Sequence, residues 1–223
     1  MIKAILILFL SIFLLKTSYG QDEELKLYKN IYSTADSLIK IGQIKNIDST
    51  IFKMANKLDK GHPTRFFETA VDLLSESKFN EASFIYYLGL MRYRYFNSVN
   101  PDYQASGDGA LLASLNYAVG EPINMYLKTD IDNFISIINL TINYYETNDF
   151  LFSTKTKNEE SYIKQTKGYK DLIIELETNK EKYTTQWDEQ KSQMIKNIDL
   201  WIEQSKNNNK EVEKGKKRKK NKK

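Results

Sequence analysis

The 223-residue chain contains no cysteine, a single histidine, three prolines and nine glycines. Without cysteine there is no disulfide, no thiolate nucleophile and no thiolate metal site. With His62 as the lone imidazole, in a Gly-His-Pro turn, the common zinc sets are excluded too, and His62 reads as a solvated loop residue. A Ser-His-Asp triad lacks any Gly-x-Ser-x-Gly context. Gly107-Asp108-Gly109 has neither the lysine nor the preceding strand of a phosphate loop. No metal or cofactor site is expected. The scarcity of proline and glycine leaves long stretches free to be helical, and no alternating run of strand length interrupts them.

Long hydrophobic runs are also absent, with one exception. Lys3 precedes Ala4 to Leu15 (AILILFLSIFLL), and Lys16 closes the run. Twelve helical residues rise about 18 Å, short of the roughly 30 Å hydrocarbon core of a bilayer. Ser18-Tyr19-Gly20 then offers small residues where a signal peptidase reads. The segment 1–20 is expected to be a cleaved signal peptide leaving Gln21 first, in a soluble periplasmic or extracellular protein. No cysteine follows the run, which excludes lipid anchoring of the bacterial lipoprotein type.

The formal net charge of +4 conceals two opposite regions. Residues 214–223 (KGKKRKKNKK) hold eight basic residues and no acid. Removing them gives −4, and removing Lys3 and Lys16 with the leader gives −6 for residues 21–213. A run this dense repels itself, so 207–223 is expected to be a disordered basic tail. Lys216, Lys217, Arg218, Lys219 and Lys220 are its candidates for binding an anionic surface. No aromatic residue lies among them to stack on a base, which points away from nucleic acid.

The apolar periodicity predicts an all-α domain over 21–206. Helices are expected over 22–41, stopped by Gly42, and over 48–58, entered at Asp48. Thr64 is expected to cap a helix running to Ser75, followed by one from Asn80 to Phe96. Asn100-Pro101-Asp102 and Gly107-Asp108-Gly109 read as turns. Ala110 to Val119 reads as a small-residue helix broken at Gly120-Glu121-Pro122. From about 159 to 205 the chain turns Lys/Glu/Gln-rich, with seven-residue ladders Tyr162, Tyr169, Leu176, Tyr183 and Trp187, Met194, Trp201. One long helix or a hairpin bent near Thr178-Asn179 is expected there. Its narrow apolar stripe requires a partner, either the body of the protein or a second subunit.

Across the turn Glu76-Ser77-Lys78-Phe79, the segment SKFNEASFIYYLGL resembles the centre of a tetratricopeptide repeat. Phe79 stands at the turn aromatic, Ala82 and Gly89 at the small positions of the second helix, and Tyr86 at its aromatic. Ser77 occupies a position where that family prefers glycine. The likeness covers about 64–97, with a weaker echo over 123–147, and no regular 34-residue period surrounds it. It implies helical hairpins whose small residues allow close approach, and a protein-binding role.

Glu76-Ser77-x-Phe79 followed by Gly89-Leu90-Met91 also looks like the signature of lytic transglycosylases, which cleave peptidoglycan with one general-acid glutamate. In this chain EASFIYYL replaces the bend between the two blocks, the spacing is two residues short, and Arg92 stands where that family has Gln. That alternative assigns the acid to Glu76.

Phe84, Tyr86, Tyr87, Tyr93, Tyr95 and Phe96 share one helix with Arg92 and Arg94. About half are expected to face the core, and the remainder to form a protein-binding groove, because tyrosine and arginine concentrate interface energy. The expected partner-binding residues are Tyr87, Arg92 and Arg94, with Asn116, Glu121, Asn124 and Tyr126 as the other wall. The reading is a non-enzymatic, exported interaction protein, in a specific form an immunity or inhibitor protein, with the Glu76 hydrolase and the tail tether as alternatives. Asp36-Ser37-Leu38 and Asp48-Ser49-Thr50 also fit a three-residue bacterial O-glycosylation pattern, and Asn139-Leu140-Thr141 an N-glycosylation sequon.

Overall fold

The computed structural model describes residues 19–100 and 107–220, with side chains over 24–100 and 107–204. The segment expected to be a leader, up to residue 18, the expected turn beyond Asn100 and the side chains of the basic run lie outside the described residues. Eight α-helices and one 3-10 turn account for the elements there, with no strand, as the periodicity predicts. They are α1 (Tyr19–Lys40), α2 (Thr50–Leu58), α3 (Thr64–Ser75), α4 (Phe79–Val99), α5 (Asp108–Leu127), α6 (Ile131–Thr147), a 3-10 turn (Lys155–Lys157), α7 (Glu159–Thr178) and α8 (Lys180–Lys220). None of the described helices is long and apolar enough to cross a membrane.

Two compact units divide the chain, Ile31–Asp188 and a smaller one made of residues up to Asn30 and from Glu189 onward. In the smaller unit, Lys29 bonds Asp199 at 3.3 Å across two exposed side chains, an ion pair worth little. Tyr28 donates to Glu24 one turn before it. The helical backbone of α8 continues through Lys220.

The larger unit is built around α4, on which α2, α3, α5, α6 and α7 all pack. Seventeen of its 21 residues are buried, far more than the half expected from one-sided periodicity. A central helix has no solvent face, so its sequence carries little amphipathic signal. All six of its expected aromatics are in the core.

The α3–α4 hairpin explains two sequence features. Ser77 has φ +59°, in the left-handed region. Its N–H bonds the Leu74 carbonyl while the Lys78 N–H bonds that of Leu73, the paired bonds of a Schellman stop. Glycine fits that conformation without a Cβ clash. Gly42 ends α1 in the same way with φ +68°. At Gly89 an added Cβ would lie 2.5 Å from Phe66 Cβ, so the absent side chain sets how closely α3 and α4 approach.

Three local expectations are corrected. Thr64 is the first helical residue rather than the cap, and its N–H is taken by His62 Nδ1. His62 itself is half-buried, with Tyr93, Phe96 and Phe152 around its ring, and burial lowers its pKa. Gly120-Glu121-Pro122 does not break a helix: α5 runs through it. A Cβ at Gly120 would fall 2.3 Å from the Tyr86 hydroxyl, so this glycine is a slot for a neighbouring side chain. Pro122 is buried inside α5 and forgoes one ladder bond, a loss that tertiary packing offsets.

The chain does bend at Asn179, between α7 and α8. Tyr162, Thr166, Tyr169, Ile173 and Leu176 form the buried stripe of α7 against α4 and α6, so that stripe finds its partner in the body of the protein. Lys180 bonds Asp132 at 2.6 Å, and Trp187 packs on Phe134, holding the start of α8 to α6.

Candidate functional site

The expected binding face divides into an interior part and an exposed part. Successive residues on an α-helix turn by 100°, so Arg92 and Arg94 point about 200° apart. Arg92 is fully buried, a correction to its expected place on a groove. Its Nε donates to Asp59 Oδ1 at 2.9 Å and its Nη2 to Asp59 Oδ2 at 3.3 Å, a two-pronged ion pair. Nη2 also donates to the Asn148 carbonyl at 2.8 Å, and Nη1 donates to the Tyr162 hydroxyl. The Tyr145 ring lies 4.7 Å from its Cζ. Burial pushes the Asp59 carboxyl up to about 6, against the pull of Arg92.

This cluster ties the end of α2 to α4, α6 and α7. Tyr162 donates onward to backbone carbonyls of Tyr145 and Asn148, and its ring stacks on Tyr145 at 4.2 Å. Tyr144 donates to Asp59 at 3.4 Å. Asp59 was not legible as a partner, since nothing local marks a residue 33 positions before Arg92. The set is a structural staple, closed to any ligand.

Tyr87 and Tyr126 are also interior. Burial raises the pKa of both hydroxyls. Tyr87 donates to Asn124 at 2.7 Å, and Tyr86 donates to Asn116 at 2.6 Å. The expected second wall therefore does lie beside α4, but its asparagines serve as acceptors for core tyrosines. Asn116 and Glu121 are exposed, Asn124 is half-buried, and Tyr126 packs on Phe79 at 5.0 Å.

Arg94 remains on the surface. Its Nη1 donates to the Tyr169 hydroxyl at 2.8 Å, and its Cζ lies 5.6 Å from that ring. Burial raises the Tyr169 pKa and the Arg94 charge opposes that rise. Arg94 and Ser98 from α4 line one side of an open groove of about 610 Å³. Ser161, Lys164, Gln165 and Gly168 from α7 line the other, and Tyr169 and Leu172 add apolar surface. None of the described lining residues is acidic. Of these eight, the sequence marked Arg94 as a binding residue and Tyr169 as part of a packing ladder; the missed signal is the polar side of α7, where Ser161, Lys164, Gln165 and Gly168 recur at three- and four-residue steps.

Glu76 sits in the exposed α3–α4 turn and pairs with Lys78 at 2.6 Å. A general-acid glutamate held in a dry pocket is not what this position provides. No group of three or more His, Cys, Asp or Glu side chains capable of holding a metal occurs among the described residues. No family model matches the chain, and neither a curated protein nor a solved structure matches it.

Proposed function

We propose that the chain is an exported, non-enzymatic interaction module that grips a protein partner in the groove between α4 and α7. The observation that carries this reading is Arg94. It is exposed, yet its guanidinium is held against the Tyr169 hydroxyl beside a cavity of about 610 Å³. A side chain oriented before binding loses less entropy when a partner arrives, and arginine beside tyrosine is a favoured interface anchor. An immunity or inhibitor protein, which works by occupying another protein, is the specific form that this module would take. The tetratricopeptide-like segment fits the same role, with α3 and α4 as its hairpin.

The test is a pull-down of residues 21–223 from the envelope fraction, beside Gly168→Trp and a form ending at residue 213. Nothing lies within 4 Å of a Cβ at Gly168, so tryptophan there fills the groove without disturbing the core. A stoichiometric partner kept by the tail-less form and lost with Gly168→Trp is the expected result. A partner lost with the tail and kept by Gly168→Trp transfers the function to Lys216–Lys220 and ends the groove reading.

A further inference from the structure

The donors in the α4–α7 groove converge on one kind of ligand. Among the described residues Arg94 bonds only Tyr169, through Nη1, and the other edge of its guanidinium has no partner there. Lys164 is exposed and has no ion-pair partner among the described residues. Gln165 uses its amide nitrogen on the Ser161 carbonyl, which leaves its oxygen to accept. Two cations in a lining with no acid among the described residues form a positive spot on a body whose net charge over 21–213 is −6. Such a spot attracts an anion that the surrounding surface repels.

The shape and the chemistry select among anions. The groove is far larger than a lone carboxylate, and Tyr169 and Leu172 give it an apolar part. A phosphoryl group favours free backbone N–H groups at a helix N-terminus. Here the Ser161 N–H is already taken by Asn158 Oδ1 at 2.9 Å, and Glu159 and Glu160 fill the first turn of α7. A dianion is disfavoured beside those acids, whereas a single carboxylate meets the open edge of Arg94 in two-pronged geometry.

We infer that the groove takes an acidic peptide segment, with an Asp or Glu carboxylate on Arg94 and Lys164 and a neighbouring apolar side chain on Tyr169 and Leu172. The inference rests on the binding-module reading and names its ligand class. Association is therefore weakened by salt, because both cations are at the surface.

The probe is a blocked peptide with one glutamate beside a leucine, titrated into 15N-labelled full-length mature protein. Its glutamine twin and inorganic phosphate are run beside it. Amide shifts at Ser98, Lys164 and Gly168 with the glutamate peptide, weakened at least tenfold by Arg94→Gln with Lys164→Gln, are the expected result. Equal shifts with the glutamine twin, or tighter saturation by phosphate, overturn the inference, as does the absence of any shift. The two readings fail separately. A partner lost with Gly168→Trp but retained by the double glutamine variant preserves the groove as a docking site and removes the carboxylate from it.

Discussion

Arg92 has both edges of its guanidinium engaged, on Asp59, Asn148 and Tyr162, at 0% exposure, while Arg94 holds one nitrogen on Tyr169 and faces an open groove. The two are the same residue type, two positions apart on one helix. Each has a tyrosine of α7 as partner, Tyr162 for one and Tyr169 for the other. What separates them is the carboxylate. Asp59 neutralises the inner arginine and closes its site, while no acid among the described residues lines the groove around the outer one. A buried pair of this kind specifies an arrangement of helices; an oriented, unpaired cation is available to something else.

The largest expected effect sharpens that contrast. Arg92→Ala leaves the Asp59 carboxylate buried without its partner and should cost about 3 to 5 kcal/mol in urea unfolding. Arg94→Ala should cost less than about 1 kcal/mol, as surface changes do. Equal losses would break the comparison. For the same reason, replacing both arginines together is no test of binding, since the inner change removes the fold first.

The next effect is in the pH profile. The Asp59 carboxyl is raised from 3.8 to about 6, so the folded chain holds that proton more tightly than the unfolded one. Its contribution is complete below about pH 3.8 and is lost as the pH rises through about 6, on the order of 3 kcal/mol. Asp48 and Asp132 are lowered by their partners and act with the opposite sign, so the readout is the difference between two profiles. Asp59→Asn should abolish this fall in stability between pH 4 and 6, whatever its effect on the absolute value. Parallel profiles would show that Asp59 does not titrate in the buried pair.

Smaller still is the pair of hydroxyl deletions. Tyr162→Phe takes away a buried acceptor from Arg92 and should cost about 1 to 3 kcal/mol. Tyr169→Phe should cost about 0.5 kcal/mol or less, and should free Arg94 rather than unfold the helix. A Tyr169 variant as unstable as the Tyr162 variant would make the groove part of the core.

Much of this architecture is legible in the sequence wherever the signal is local. Gly42 marks the end of α1, Ser75 the end of α3 and Asn179 the bend before α8. The Tyr162–Tyr169–Leu176 ladder correctly marks the buried stripe of α7. Failures arise where tertiary partners decide. Gly120 looks like a breaker until Tyr86 is seen to need its space, and Asp59 acquires meaning only from Arg92. The shared face assigned to Arg92 and Arg94 is different, because helical geometry alone separates residues two apart. The polar side of α7 carried its spacing in plain view, but Lys/Glu/Gln-rich sequence reads as a solvated surface.

The central claim is that one arginine belongs to the fold and its neighbour to binding. Arginine-selective dicarbonyl labelling, read by mass spectrometry on the native protein with and without the proposed partner, tests it most directly. The expected result is that Arg94 reacts in the free protein and is protected in the complex, while Arg92 stays unmodified in both until the chain unfolds. Arg92 reacting at the rate of Arg94, or Arg94 reacting equally with the partner bound, would contradict it.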